Sequence, residues 1–172
     1  MKRILLLSML IVFVASLSFG QMAYKKGDQV ISLGLGLGGV AGSYGTGGLP
    51  ISIAYESGFN ENISFGGLFG YASTSENAFY GDWKWTNIII GARAAYHADL
   101  LHKDNIDTYG GIMLGYNIVS FSGPNASYWS GGSYIFFGAF IGGRYYFSPN
   151  LAAQVELGYG VGFLNIGIAY KF

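Results

Sequence analysis

The 172-residue chain has no cysteine, three prolines and two histidines, and only 10% of it is charged. Without cysteine there is neither a disulfide scaffold nor a thiol to carry a lipid anchor. After the first twenty residues no apolar run reaches the eighteen or so residues of a membrane helix. Basic residues are also few. Lys2 and Arg3 lie in the leader, so residues 21–172 keep seven bases against nine acids, a net charge of −2 with no clustered basic face for a nucleic acid.

What the chain has in quantity is glycine, 29 residues, within a composition that is 51% hydrophobic. That combination suits neither a disordered segment nor an average soluble domain. The leader explains part of it. Lys2 and Arg3 precede the apolar run Ile4 to Val14, and Ser18-Phe19-Gly20 offers a small-x-small exit before Gln21. This is the layout of a secretory signal peptide over 1–20, leaving one domain over 21–172.

The rest is alternation with a period of two, which reads as strand. Ile31, Leu33, Leu35 and Leu37 alternate with Ser32, Gly34, Gly36 and Gly38. The pattern recurs over 49–56, 63–71, 88–97, 106–118, 135–147, 151–159 and 164–172. Eight strands of about nine to twelve residues suit tilted crossings of a bilayer. Long connections at 38–48, 73–84 and 121–132 alternate with tight turns at 58–62 and 148–150. The expected fold is therefore all-β, an eight-stranded antiparallel up-and-down transmembrane β-barrel with long loops outside and short turns inside. The connections at 98–105 and 160–162 depart from that rule in length.

A soluble barrel would turn its large apolar side chains inward, whereas a membrane barrel shows them to lipid. Opposite the apolar face stand glycine, alanine and serine with Glu56, Arg93, His97, Asp107, Arg144, Glu156 and Lys171. An eight-stranded barrel is just wide enough to be filled by its own side chains, and small residues make room for long ones. Three acids and three bases besides His97 can pair, as buried charges require. Glu56, Arg93, Asp107, Arg144 and Glu156 are thus a candidate lumen charge network. Tyr55, Phe65, Tyr96, Tyr145, Phe147, Tyr170 and Phe172 suggest one aromatic girdle, and Tyr71, Trp85, Tyr116 and Tyr159 a second.

The terminal LNIGIAYKF, with Tyr170 and Phe172 at its end, resembles the signal read by the barrel-assembly machinery in Gram-negative outer-membrane proteins. GARAAYHADL with DTYGGIMLGYN, and RYYFSPNLAAQVELGYG, resemble strand pairs of the outer-membrane β-barrel family (porin-like, OmpA/OmpX-like) common in Bacteroidota. The resemblance implies an integral protein of the outer membrane, in contact with its lipid and assembled by that machinery. It brings no catalytic residue.

An enzyme is not expected: His97 is followed by Ala98-Asp99 and His102 by Lys103-Asp104, so the His-x-Ser of lipid A deacylase-like barrels is absent. The set His97, Asp99, His102 and Asp104 matches no standard metal spacing, and no cofactor is expected. Gly34, Gly36 and Gly39 fall at G-x-G-x-x-G, but a glycine-rich stretch follows where a dinucleotide site needs a helix. Phe79, Tyr80, Trp83 and Trp85 in ENAFYGDWKW, with Tyr128 and Trp129 in GPNASYWSGG, are either an external surface for an envelope or host partner or part of the upper girdle. The functional expectation is a non-enzymatic envelope barrel, structural or adhesive through its loops, with a narrow pore as the alternative.

Overall fold

The computed structural model describes residues 23–38, 48–78, 81–123 and 132–172, and every regular element among them is a strand. The strands are β1 (Gln29–Leu37), β2 (Ile51–Gly58), β3 (Ile63–Ala78), β4 (Gly81–Ala98), β5 (Ile106–Ser122), β6 (Tyr134–Tyr146), β7 (Leu151–Gly158) and β8 (Leu164–Lys171). Each pairs antiparallel with its neighbour in sequence. β8 returns to β1, with Val30 opposite Lys171 and Leu37 opposite Leu164, and closes the barrel. No sheet edge is left along the wall, so the ladder satisfies its own backbone groups. We call the end where β1 starts and β8 finishes the near rim, and the opposite end the far rim.

The two faces sort as the alternation demands. Leu33, Leu35, Ile53, Phe69, Ile90, Leu114, Ile141 and Ile168 point outward and are exposed. The belt runs round the whole wall. Such a continuous apolar exterior is far larger than water-facing proteins tolerate.

Inside, the wall is a checkerboard of large and small. Along β5 and β6 the inward rungs pair Tyr109 with Gly142, Gly111 with Phe140, Met113 with Gly138, and Gly115 with Phe136. Between β3 and β4 they pair Gly66 with Arg93, Leu68 with Gly91, and Gly70 with Ile89. Along β5 and β6 the large side chain lies over the glycine beside it: a methyl group on Gly142 would meet the Tyr109 hydroxyl at 2.8 Å. The glycines make the room that an eight-stranded interior lacks.

Three expectations need correction. β3, β4 and β5 run 16, 18 and 17 residues, well beyond a bilayer crossing. The connection expected at 73–84 is mostly ladder: Ser73 pairs with Thr86 and Ala78 with Gly81, so the hairpin carries on past the far rim. Polar residues there read as loop, yet β-branched and aromatic neighbours hold the pairing. Second, Tyr159 packs against the inner apolar cluster instead of facing outward, because the β7–β8 turn folds back over the far mouth. Its Val161 is buried, against Gly70. Third, Trp85 shares the lumen-side parity of β4 and is no part of an outer girdle.

Candidate functional site

The polar residues of the interior are set by inward positions of all eight strands, Ser32 being the contribution of β1. Glu56 comes from β2, Ser64 from β3, Arg93 and His97 from β4, Asp107 and Tyr109 from β5, Arg144 from β6, Gln154 and Glu156 from β7, and Lys171 from β8. All are buried, and most lie in the near half of the barrel.

The structure brings Glu56, Arg93, Asp107, Arg144 and Glu156 into one network. Glu56 bridges both arginines: its Oε1 lies 2.9 Å from Arg93 Nε and its Oε2 2.6 Å from Arg144 Nη2. Arg93 Nη2 reaches Glu156 Oε1 at 2.6 Å, and Arg144 Nη1 reaches Asp107 Oδ2 at 3.4 Å. Neutral partners complete it. Arg144 Nε donates to Gln154 Oε1 at 2.9 Å, and Ser32 Oγ donates to the same oxygen at 2.8 Å. Tyr109 donates to Glu156 at 2.8 Å, while the Arg93 and Arg144 guanidinium groups lie over the rings of Phe140 and Tyr109 at 4.2 and 4.5 Å. Buried ions held by this many partners avoid the penalty of an unpaired charge.

Below the network a second chain runs toward the near rim. Asp107 Oδ1 lies 2.8 Å from His97 Nδ1, and Ser64 Oγ lies 2.9 Å from His97 Nε2. Over the imidazole lies the ring of Tyr24, 3.6 Å between centroids and parallel to within 1°. Tyr24 belongs to a strap, residues 23–28, that turns at Lys25 to Asp28, where Gly27 takes a φ of 86° that suits glycine. The Tyr24 hydroxyl donates to Ile63 O at 2.6 Å, and Lys171 Nζ donates to Ala23 O at 3.2 Å. Lys171 also lies 3.6 Å from Asp28, a fourth buried acid. Burial away from water, with Asp107 and Asp28 nearby, pushes the Tyr24 phenol up to about 12.

Toward the far rim the interior turns apolar: Leu68, Ile89, Met113, Phe136, Phe140 and Val161 pack together. Between this cluster and the network, only about 20 Å³ is open, lined by Ser32, Ser52, Arg93, Gln154, Glu156 and Asn165 among others. That is room for a water or two. The lumen is therefore filled at three levels: strap, ion network and apolar cluster.

On the hairpin beyond the far rim, Trp83 and Trp85 stack at 6.4 Å and 17°, and Phe121 lies 5.5 and 5.2 Å from them. Phe79, Tyr80, Tyr128 and Trp129 lie outside the described residues. Tyr170 and Phe172 face outward at the near rim, with ring centroids 6.2 Å apart. Asp99, His102 and Asp104 are exposed on the β4–β5 turn, apart from buried His97. Among the described residues no group of three metal-ligating side chains converges.

Sequence reading missed Ser64, Tyr109 and Gln154 as members of the site, and Tyr24 altogether. The three strand residues obey the inward parity of their strands, which was the available signal. Tyr24 carried none, since nothing local says that a residue before β1 turns into the mouth.

No protein-family model matches the chain, and no curated protein matches it. Solved structures do. Neisserial surface protein A is similar at a TM-score of 0.56 and 20% identity, over 84% of this chain and 96% of that one. The N-terminal β-barrel domain of Pseudomonas aeruginosa OprF is similar at 0.54 and 15%, over 87% and 100%. Ail, the attachment invasion locus protein of Yersinia pestis, in complex with the heparin analogue sucrose octasulfate, is similar at 0.54 and 15%, over 86% and 99%. At these identities the likeness is one of fold: an eight-stranded closed antiparallel barrel.

Proposed function

We propose that this is an integral outer-membrane protein, exported by the leader at 1–20, whose barrel is a closed anchor for the structures it carries beyond the far rim. One observation carries the reading: an apolar wall outside and a lumen filled from mouth to mouth inside. The first wants lipid, and the second, among the described residues, blocks the way for a solute. In this orientation the near rim faces the periplasm, and Tyr170 and Phe172 present the assembly signal there.

The role is structural or adhesive, and without catalysis by the loops. Trp83, Trp85 and Phe121 support the adhesive form, because they share the lumen-side face of the hairpin and so turn away from lipid. An envelope or host-surface partner is in keeping with the fold likeness to Ail, crystallised with a heparin analogue. Planar-bilayer recording tests the closed anchor: purified, folded protein gives silent membranes. Discrete, ion-sized openings would overturn it and restore the narrow pore.

A further inference from the structure

The bond order through Asp107, His97 and Ser64 is that of a nucleophile, its base and the group that orients the base. In the tautomer with the proton on Nδ1, His97 donates to Asp107 Oδ1 across 2.8 Å and its Nε2 accepts from the Ser64 hydroxyl across 2.9 Å. Arg144 holds the other Asp107 oxygen at 3.4 Å and fixes the carboxylate's direction. A cavity of about 80 Å³ adjoins this chain at the near rim: His97 and Asp107 line it together with Asn62, Asp99, Lys103 and Asp104, Ser64 is not in its wall, and Tyr24 closes one side. We propose that Ser64, His97 and Asp107 form an acyl-transfer site held latent beneath Tyr24, which takes small esters from the near mouth once the strap lifts.

The step balances without a cofactor. Ser64 Oγ bonds the ester carbonyl carbon as its proton passes to His97 Nε2; the carbon–oxygen bond to the leaving alcohol breaks, and the alcohol takes that proton. Water then cleaves the acyl–Ser64 ester by the same route, giving acid and regenerated serine. Lining the cavity are the Lys103 ammonium and the Asn62 amide, which gives one hydrogen to His97 O at 3.0 Å and has a second for the developing oxyanion. Ser64 is 1% exposed, so the site is silent while Tyr24 is docked. For the strap to lift, the Tyr24 ring must leave His97, its hydroxyl must leave Ile63 O and Asn60 O, and Lys171 Nζ must release Ala23 O.

The test is covalent labelling of the full barrel, folded in detergent, with an alkyl fluorophosphonate, in which the Ser64 Oγ–P bond forms and fluoride leaves. Tyr24→Ala is labelled at Ser64 by peptide mass spectrometry, at least tenfold faster than the unaltered protein. Adding His97→Gln slows labelling by about a hundredfold, the usual worth of a positioned base, and adding Ser64→Ala abolishes it. A folded Tyr24→Ala barrel with unlabelled Ser64, or with labelling indifferent to His97, overturns the proposal. Should Tyr24→Ala fail to fold, Tyr24→Phe, which keeps the ring and loses both anchoring bonds, is judged by the same criteria.

Discussion

Tyr24 and His97 lie face to face, 3.6 Å between ring centroids, although one precedes the first strand and the other ends the fourth. The contact seals the near mouth. It also sets a pH limit. The phenol is pushed up to about 12 from the ordinary 10, so docking of the neutral ring contributes fully below pH 10 and is lost as pH rises through 12. Phenolate absorbance of the folded protein minus that of Tyr24→Phe should titrate near 12. A difference that titrates near 10 would place Tyr24 in solvent.

Arg144 is the most connected ion inside the barrel, touching Glu56, Asp107 and Gln154. Arg144→Met removes the cation and leaves two buried carboxylates short of a partner. The expected loss is about 3–5 kcal/mol in a denaturant titration of the folded barrel. Adding Glu56→Gln should recover part of it, since one stranded charge goes as well. A double variant no more stable than the single would deny that the two are coupled.

The checkerboard predicts a reciprocal pair. Gly111→Phe drives a ring into the space of Phe140, an overpacking that costs about 1–3 kcal/mol. Emptying the space with Phe140→Gly should recover only part of the loss, because a Cβ on residue 111 also meets the Ala94 carbonyl oxygen. The exchange Gly115→Phe with Phe136→Gly, where only the Phe136 ring stands in the way, should recover most of the cost of Gly115→Phe. If the exchange is as damaging as the single change, room on the inner face is not what these glycines supply.

How legible all this was depended on which face a residue served. Along the strands the outer wall was read correctly, Trp85 and Tyr159 apart, because outward side chains there keep a period of two. The inner face was read only in part. In YIFFGAFIGGRYY both faces are apolar, so alternation could not reveal that Phe136, Phe140 and Tyr146 point inward. The chain Ser64, His97, Asp107 draws on three strands, its partners 33 and 10 positions apart in sequence, and has no local motif to find. The stretch 73–84 looked like a loop because it holds glycine, serine and aromatic residues, while β3 and β4 pair along it from Ser73 with Thr86 to Ala78 with Gly81.

Leu114 tests the orientation of the wall. It faces outward from the middle of β5, opposite Phe137 on β6 and Ala92 on β4. If that face meets lipid, Leu114→Arg should cost about 2–4 kcal/mol in barrels folded into vesicles, as a cation does near the bilayer midplane. Met113→Arg, one residue along and inward, should also cost stability, because a longer charged side chain overfills the apolar cluster of Phe136, Phe140 and Val161. An outward arginine tolerated without loss would mean that the belt of Leu33, Ile90 and Ile168 is covered by something other than hydrocarbon.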